Sequence, residues 1–340
     1  MRGTTIAKVA AEAGVGVGTV SRVLNGSPSV SEDTRRRVLE AIATLDYQPN
    51  PVARALSTGR TYAVGVVAPF FTAPSVIERL RGVSRMLAGA GYQLILLDVE
   101  RAEQGREFFR TVAVRGRIDG VLSISLTPTD AEIRRLKAED VPIVLLDRAH
   151  PALPAITIDD TEGGRMAAEH LLALGHRRIA FLGDEEANLF GFDSSARRRE
   201  GFEAAMSAAG VPIEPDWTLR KPHGRDQARE AALWLLAQDP RPTAVFATSD
   251  VQAIGVLEAA QVADVPVPEE LSVIGFDNVE AAGYTGLTTV AQPLEEIGAL
   301  GAELLLRTLS GESVQSRRMP LAIVERGSTA APALQVAHEG

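Results

Sequence analysis

Beyond Tyr62 the sequence keeps returning to short, unbroken apolar runs: Ala63–Ala68, Leu94–Leu97, Gly120–Ile124, Ile143–Leu146, Ile179–Leu182, Ala244–Ala247 and Ser272–Gly275. A run without polar alternation needs apolar neighbours on both faces, the situation of a parallel strand covered by helices on either side. Amphipathic stretches such as Ser75–Ala90 and Arg197–Ala209 separate the runs and supply those layers. The region is therefore expected to be α/β and doubly wound. A second series of runs starts near Arg178, after a helix over Thr161–Leu174, and the region is too long for one ordinary sheet domain. Two similar lobes joined by crossing segments are expected. Ligands of such folds sit at the carboxyl ends of the strands, here in the cleft between the lobes.

The first sixty residues read differently. Thr4 or Thr5 caps a helix with apolar positions Ile6, Val9, Ala10 and Ala13, and Gly14 supplies the positive φ of a sharp turn. A second helix starts near Val17 and buries Val20, Val23 and Leu24, which leaves Thr19, Ser21 and Arg22 on or near its outer face. Hydroxyls and a guanidinium so placed reach phosphates and base edges, the layout of a recognition helix. Ser31 caps a third helix whose stripe is Val38, Ala41, Ile42 and Leu45. Gly14, Gly16 and Gly18 imitate a phosphate-binding loop, but such loops follow a buried strand and these follow a helix. The other plain reading is a helical hairpin without a ligand. Against it stands Asn50–Ser57, where Asn50 is an N-cap, Pro51 suits the first helical position and Val52 and Leu56 share a face. A helix below ~12–15 residues is marginal in water, so this one is expected to form only against a partner.

Charge follows the same division. Residues 1–60 carry eight basic side chains against five acidic ones, a net of +3, while the whole chain is at −9, leaving −12 on the remainder. Nucleic acid is expected to meet the head and be repelled by the rest. The run Arg35, Arg36 and Arg37 gains weight only from standing beside a recognition helix. The chain has no cysteine, and its five histidines show no metal-ligand spacing, so no disulfide, thiolate site, metal or cofactor is expected. No apolar stretch reaches the ~18 residues of a membrane span, and no signal-peptide pattern opens the chain, so a cytoplasmic protein with no membrane partner is expected. A strand-linked G-x-G-x-x-G, a Walker loop and a Ser/His/Asp arrangement are all missing, which speaks against an enzyme. A soluble sugar-binding component is the other rival, and the basic head speaks against that.

Thr5-Ile6 with Val9-Ala10, Ala13-Gly14-Val15, Thr19 to Asn25, and Tyr47-Gln48-Pro49-Asn50 with Val52 to Leu56 resemble the DNA-binding domain and hinge of the LacI/GalR family of bacterial transcription regulators. The resemblance runs to about residue 325. It implies a helix-turn-helix head (1–48), a hinge helix and linker (49–60) and a two-lobe effector and dimerisation domain of the periplasmic-binding-protein type (61–328); the tail (329–340) has no heptads and includes Pro332, so it is expected to be disordered and to add no tetramer-forming coil. It implies a homodimer on a palindromic operator in double-stranded DNA. Val17, Gly18 and Arg22 would take base-reading positions, Thr19, Ser21, Asn25 and Ser31 would lie near phosphates, and Thr5, Tyr47 and Asn50 belong to the same DNA-contacting set. Leu56 would wedge a base step, with Ala53 and Arg54 in or beside the minor groove. Lys8 stands where the family usually has an acid and Gly16 where it usually has serine, which implies weaker phosphate contact.

Asp159 to Gly164, Leu174 to Ala180, Gly275-Phe276-Asp277-Asn278 and Leu287 to Val290 with Gln292-Pro293 are similar to the family's effector domain. The resemblance then marks Asp147, Arg198 and Asp277 as candidate contacts to a mono- or oligosaccharide, with Phe70, Phe71 and Phe192 to stack on its apolar face. Ser249 replaces an asparagine common before Asp250, so the effector is expected to differ from the simplest hexoses. Purines are the alternative class, since some relatives bind them. On the residues alone Asp147 and Asp277 serve equally as caps, Arg198 as a surface residue and the phenylalanines as core. His170 and His176 are expected to be structural.

Overall fold

The computed structural model describes residues 4–24, 27–47, 59–111, 117–185 and 190–333. Asn25, Asn50, Ala53, Arg54 and Leu56, and with them the expected hinge helix, lie outside the described residues. The chain divides into two compact units, residues 1–62 and 63–340.

In the first unit the helices are Ile6–Glu12, Val17–Leu24 and Glu32–Thr44. Their shared core is Val9, Ala10, Ala13, Val20, Val23, Val30, Val38 and Ala41, with Ile6, Leu24, Ile42, Leu45 and Tyr47 packed partly against it. Thr5 holds the N-cap position without a side-chain bond, and the neighbouring Thr4 hydroxyl instead donates to the Leu45 carbonyl, tying the first helix to the end of the third. Ser31 caps the third helix by accepting from the Thr34 amide. Arg35 donates to the Ser27 carbonyl, and Arg36 and Arg37 both pair with Asp33, so the basic run is held by its own loop and helix. Such exposed pairs are worth only about 0–1 kcal/mol and exchange readily for another anion.

The second unit contains β1 (Ala63–Pro69), β2 (Gln93–Val99), β3 (Gly120–Ile124), β4 (Ile143–Leu146), β5 (Ala155–Thr157), β6 (Ile179–Asp184), β7 (Thr218–Lys221), β8 (Ala244–Ala247), β9 (Ser272–Asp277), β10 (Thr288–Ala291), β11 (Arg317–Arg318) and β12 (Ala322–Val324). They form two six-stranded sheets of matching order, β11-β5-β4-β3-β1-β2 and β12-β10-β9-β8-β6-β7. All pairings are parallel except that of β12 with β10. Period-two geometry splits each run between two layers. From β1, Val64, Val66 and Ala68 pack toward the helices Pro74–Gly89 and Leu294–Leu309, whereas Ala63 and Val67 pack toward Phe108, Phe109, Ile133 and Leu136 on the opposite face. Sheet two repeats this, with Phe181 and Phe246 toward Ala168 and Phe202, and Ala180 and Val245 toward Ala232 and Val256.

The chain crosses between lobes three times, after β5, after β10 and between β11 and β12. The residues after β12 correct one expectation. Residues 329–333 are not a loose tail: Thr329 bonds His170, and Ala330 both receives from His176 or Ser272 at its carbonyl and donates its amide to the Ser272 hydroxyl. Burial holds both imidazoles below the usual histidine range, as expected of neutral structural histidines.

Helices beside the cleft approach each other through glycine. A Cβ at Gly201 would strike the Thr161 carbonyl and one at Gly82 the Glu295 carbonyl, whereas Gly283 faces open space. Gly201→Ala is therefore expected to cost about 1–3 kcal/mol in urea unfolding, the scale of overpacking. Gly283→Ala, also helical, should cost nothing or gain up to about 1 kcal/mol.

Candidate effector cleft and DNA-facing helix

Parallel strands point their carboxyl ends at one place, and there the second unit has a cavity of about 520 Å³ between its lobes. Five residues at these ends hold a positive φ without being glycine: Phe70 (49°), Ser125 (57°), Asp147 (72°), Asp277 (116°) and Asn278 (60°). Backbone held in a sparsely populated region is stored strain, and it clusters here around the cavity.

The cavity floor is a chain of charged and amide groups that passes from one lobe to the other. Asp147, just after β4, accepts from the Ser125 hydroxyl at 2.7 Å and pairs with Arg79 at 2.7 Å. Arg79 comes from the helix Pro74–Gly89, is only 4% exposed, and donates on to the Gln292 side-chain oxygen at 3.1 Å and to the Ser75 carbonyl at 2.8 Å. The Gln292 amide donates to Asp277 at 2.6 Å. Arg198, 8% exposed, stands 3.9 Å from Asp277, donates to Asp160 at 2.8 Å and to the Thr248 carbonyl at 2.6 Å, and lies over the Phe276 ring with Cζ 3.5 Å from its centre. Each buried guanidinium thus replaces its lost hydration with carboxylate, carbonyl or ring contacts.

Behind this floor Asp250 is fully buried, accepting from the Thr289 hydroxyl at 2.6 Å and the Val279 amide at 2.8 Å. Burial, then the charge of Asp277, pushes its carboxyl up to about 7. Asp277 is raised too, by burial, against the opposing pull of Arg198 and Arg79. At the rim His223 bonds Asp184 at 3.0 Å; burial pulls its imidazole down, but Asp184 and the charge of Asp277 outweigh that and leave it raised.

Of the sequence-marked residues, Phe70, Asp147, Phe192, Arg198, Ser249 and Asp277 line the cavity. Phe71 does not: it lies on an outer face of lobe one with Ile77 and Leu80, its amide donating to Asp98. It sits one residue beyond Phe70, and the tight turn there sends consecutive side chains to different surfaces. Ser249 spends its hydroxyl on capping the helix Asp250–Val262 and bonding Gln252. Sequence reasoning passed over Arg79, Asp160, Phe190, His223 and Gln292. Phe190 makes the aromatic wall continuous, meeting Phe70 edge-on at 5.4 Å and stacking on Phe192 at 5.3 Å. Arg148 of lobe one pairs with Asp193 of lobe two beside them.

In the head, the helix Val17–Leu24 turns Val20 and Val23 inward, while Val17 (45% exposed), Gly18 and Arg22 face solvent and Thr19 and Ser21 are half-buried. Thr5 and Ser31 are exposed and Tyr47 is half-buried against the core.

Residues 5–50 match the family model of bacterial regulatory proteins of the lacI family, and residues 168–329 that of the periplasmic binding protein-like domain. The chain is 36% identical over 330 residues to the HTH-type transcriptional repressor PurR of Vibrio cholerae, covering 95% of this chain and 97% of that protein. A transcriptional regulator CelR–cellobiose complex is similar at 31% identity and a TM-score of 0.68, covering 96% of this chain and 99% of the other. The lac repressor dimer bound to operator and the anti-inducer ONPF is similar at 26% identity and a TM-score of 0.80, covering 97% and 100%.

A proton kept by Asp250 in the folded state, and released in the unfolded chain near the ordinary carboxylate value of about 3.9, ties its contribution to low pH. That contribution is full below about pH 4 and drains away as pH rises through about 7. Asp250→Asn should remove much of this dependence, so its urea midpoint should fall less than the parent's between about pH 5 and about pH 8.

Proposed function

This chain belongs to the lacI family of bacterial regulatory proteins, and from that we propose that it is a transcriptional repressor of carbohydrate-utilisation genes that binds a palindromic operator as a homodimer and is controlled by a sugar-like effector. The observation that carries the DNA-binding part is the helix Val17–Leu24, which spends Val20 and Val23 on its own core and leaves Val17, Gly18 and Arg22 without cover. Val17 offers a methyl contact, Gly18 a close backbone approach and Arg22 a polar choice between bases. So short a surface reads few bases, which favours two copies on a two-fold site. The exposed apolar side chains Phe71, Ile77 and Ile95 on lobe one suit a subunit contact, and the similar lac repressor is described as a dimer.

The effector reading rests on the cavity. Its floor alternates carboxylate, guanidinium and amide, so donors and acceptors are interleaved as paired hydroxyls require, and its wall of phenylalanines suits the apolar face of a sugar ring. A cellobiose complex of a similar regulator agrees with this. A purine would use the same aromatic wall and is the second reading. Effector-driven rotation of the lobe that follows the hinge in the chain would permit or forbid pairing of two hinge segments, for which a coupling of ~1–3 kcal/mol is enough.

DNA-cellulose retention that fades with rising salt is expected of the full chain, and Arg22→Ala should lose selected-site affinity by about 1–3 kcal/mol more than non-specific affinity. Equal retention of an acidic control protein would count against the reading. Leu56→Ala should weaken binding to a selected operator while leaving the effector's thermal shift intact; unchanged operator affinity would refute the wedge.

A further inference from the structure

Arg79 and Arg198 hold equivalent places in the two lobes. Each sits on the helix that follows the first strand of its lobe and stands three residues before a glycine, Gly82 or Gly201, that seats against a neighbouring helix. The carbonyl of each arginine is covered in turn by a glycine of that neighbour, Gly298 for Arg79 and Gly164 for Arg198. Each guanidinium faces the carboxylate at the end of its lobe's fourth strand, Arg79 to Asp147 at 2.7 Å and Arg198 to Asp277 at 3.9 Å. Each takes a further partner beside a lobe crossing, Gln292 just after β10 and Asp160 shortly after β5.

We propose that the Arg79–Asp147 pair is a specificity-determining element of the effector site, the lobe-one counterpart of Arg198–Asp277, and that the double clamp selects an uncharged polyhydroxylated ring over its phosphorylated or acidic forms. This rests on the sugar-effector reading above. A guanidinium joined to a carboxylate offers donors and acceptors side by side, which is what a hydroxyl, itself both donor and acceptor, needs. An anion needs an unspent cation. The lining also holds Arg199, Arg220 and His223, and none is unspent: Arg79 is balanced by Asp147, Arg198 by Asp160 and Asp277, Arg148 by Asp193, Arg199 by Glu203 and His223 by Asp184, and Arg220 is engaged as well, so a phosphate or carboxylate would enter among acids whose cations are already taken. Arg79 Nε is buried with no hydrogen-bond partner, a donor that a ligand hydroxyl or its water would satisfy. Stability alone gives little reason for the pair, since a buried ion pair is often matched by apolar residues of similar volume.

The same property provides the test. Arg79→Leu alone strands Asp147, so Arg79→Leu/Asp147→Asn removes both charges at once, and its melting point without ligand checks that it folds. Thermal-shift titrations of the full chain would use D-glucose, D-galactose, maltose and cellobiose beside glucose 6-phosphate, D-glucuronate and hypoxanthine. At least one neutral sugar is expected to raise the melting temperature, the phosphate and the uronate are not, and the double variant should bind that sugar on the order of 10- to 100-fold more weakly. Arg79→Lys, a point charge without the fork, should recover only part of the affinity. In the double variant the preference for neutral sugar over uronate should also narrow, which a purely structural role would not produce. Tighter binding of the phosphate or uronate, no response to any neutral sugar, or parental affinity in the double variant overturns the proposal. A response to hypoxanthine alone overturns it together with the sugar reading, while DNA-cellulose retention of the same preparation reports separately on the regulator.

Discussion

Taking a guanidinium out of water costs several kcal/mol unless anions and carbonyls replace its hydration, and this protein does so twice beside one cleft. Much of the local architecture follows from meeting that requirement. The carboxylates arrive at strand ends but must turn back toward the guanidinia, and Asp147 and Asp277 do so at φ values that non-glycine residues rarely adopt. The arginines themselves must not drift along their helices, and glycine contacts at Gly82, Gly298, Gly164 and Gly201 bring backbone against backbone on both sides of each one. A side chain at any of these positions would move a helix and, with it, a charge.

The strongly buried part of the fold was legible in the sequence. The runs Gly120–Ile124, Ile143–Leu146 and Ala244–Ala247 are strands with those same limits, because a strand covered on both faces has no polar residue to blur its ends. Ala155–Thr157, Thr218–Lys221, Arg317–Arg318 and Ala322–Val324 were not legible. They lie at or beside sheet edges and are short, all but the buried Ala155–Thr157 are partly exposed, and they owe their extension to a neighbour rather than to their own pattern. The site divides the same way. Arg198 and the two strand-end aspartates carried a family pattern, while Arg79 looks like one of several cations on an amphipathic helix; Arg81 and Arg85 also reach distant acids, and what separates Arg79 is that its side chain is 5% exposed against 51% and 74% for theirs. The arginine placed three residues before a glycine in both lobes was a signal within reach, had the two halves been aligned with each other.

The duplication also explains why the ligand-facing floor can report on lobe geometry. Gln292 belongs to neither arginine's helix; it lies where the chain leaves β10 to cross lobes, and it is bonded to Arg79 on one side and Asp277 on the other. A ligand that competes for its amide therefore acts on a connecting segment as well as on a wall. Arg148–Asp193 and the contact of Phe70 with Phe190 span the cleft near its mouth, so the floor and the mouth are bridged by interactions of different kinds. Charge pairs weaken with salt whereas the aromatic contact does not, which gives the contacts across the cleft a component that survives when the ionic one is screened.

Electrostatics assigns the DNA contact to one end of the chain without any base being read. A head at +3 attached to a body at −12 is drawn to a polyanion through the head alone, and the body's repulsion opposes contact by any other surface. That attraction is indifferent to sequence, so on the proposed reading selectivity comes first from the few side chains that the helix Val17–Leu24 leaves uncovered. With a valine and a glycine among them, that helix has one long polar side chain, Arg22, exposed for direct readout. A single bidentate contact discriminates by only about 1–3 kcal/mol, short of the roughly 4–10 kcal/mol that separates specific from non-specific sites. On the proposed reading a second copy and contacts from beyond the head would make up the shortfall, which is the physical reason a regulator with so spare a recognition helix would need a two-fold site.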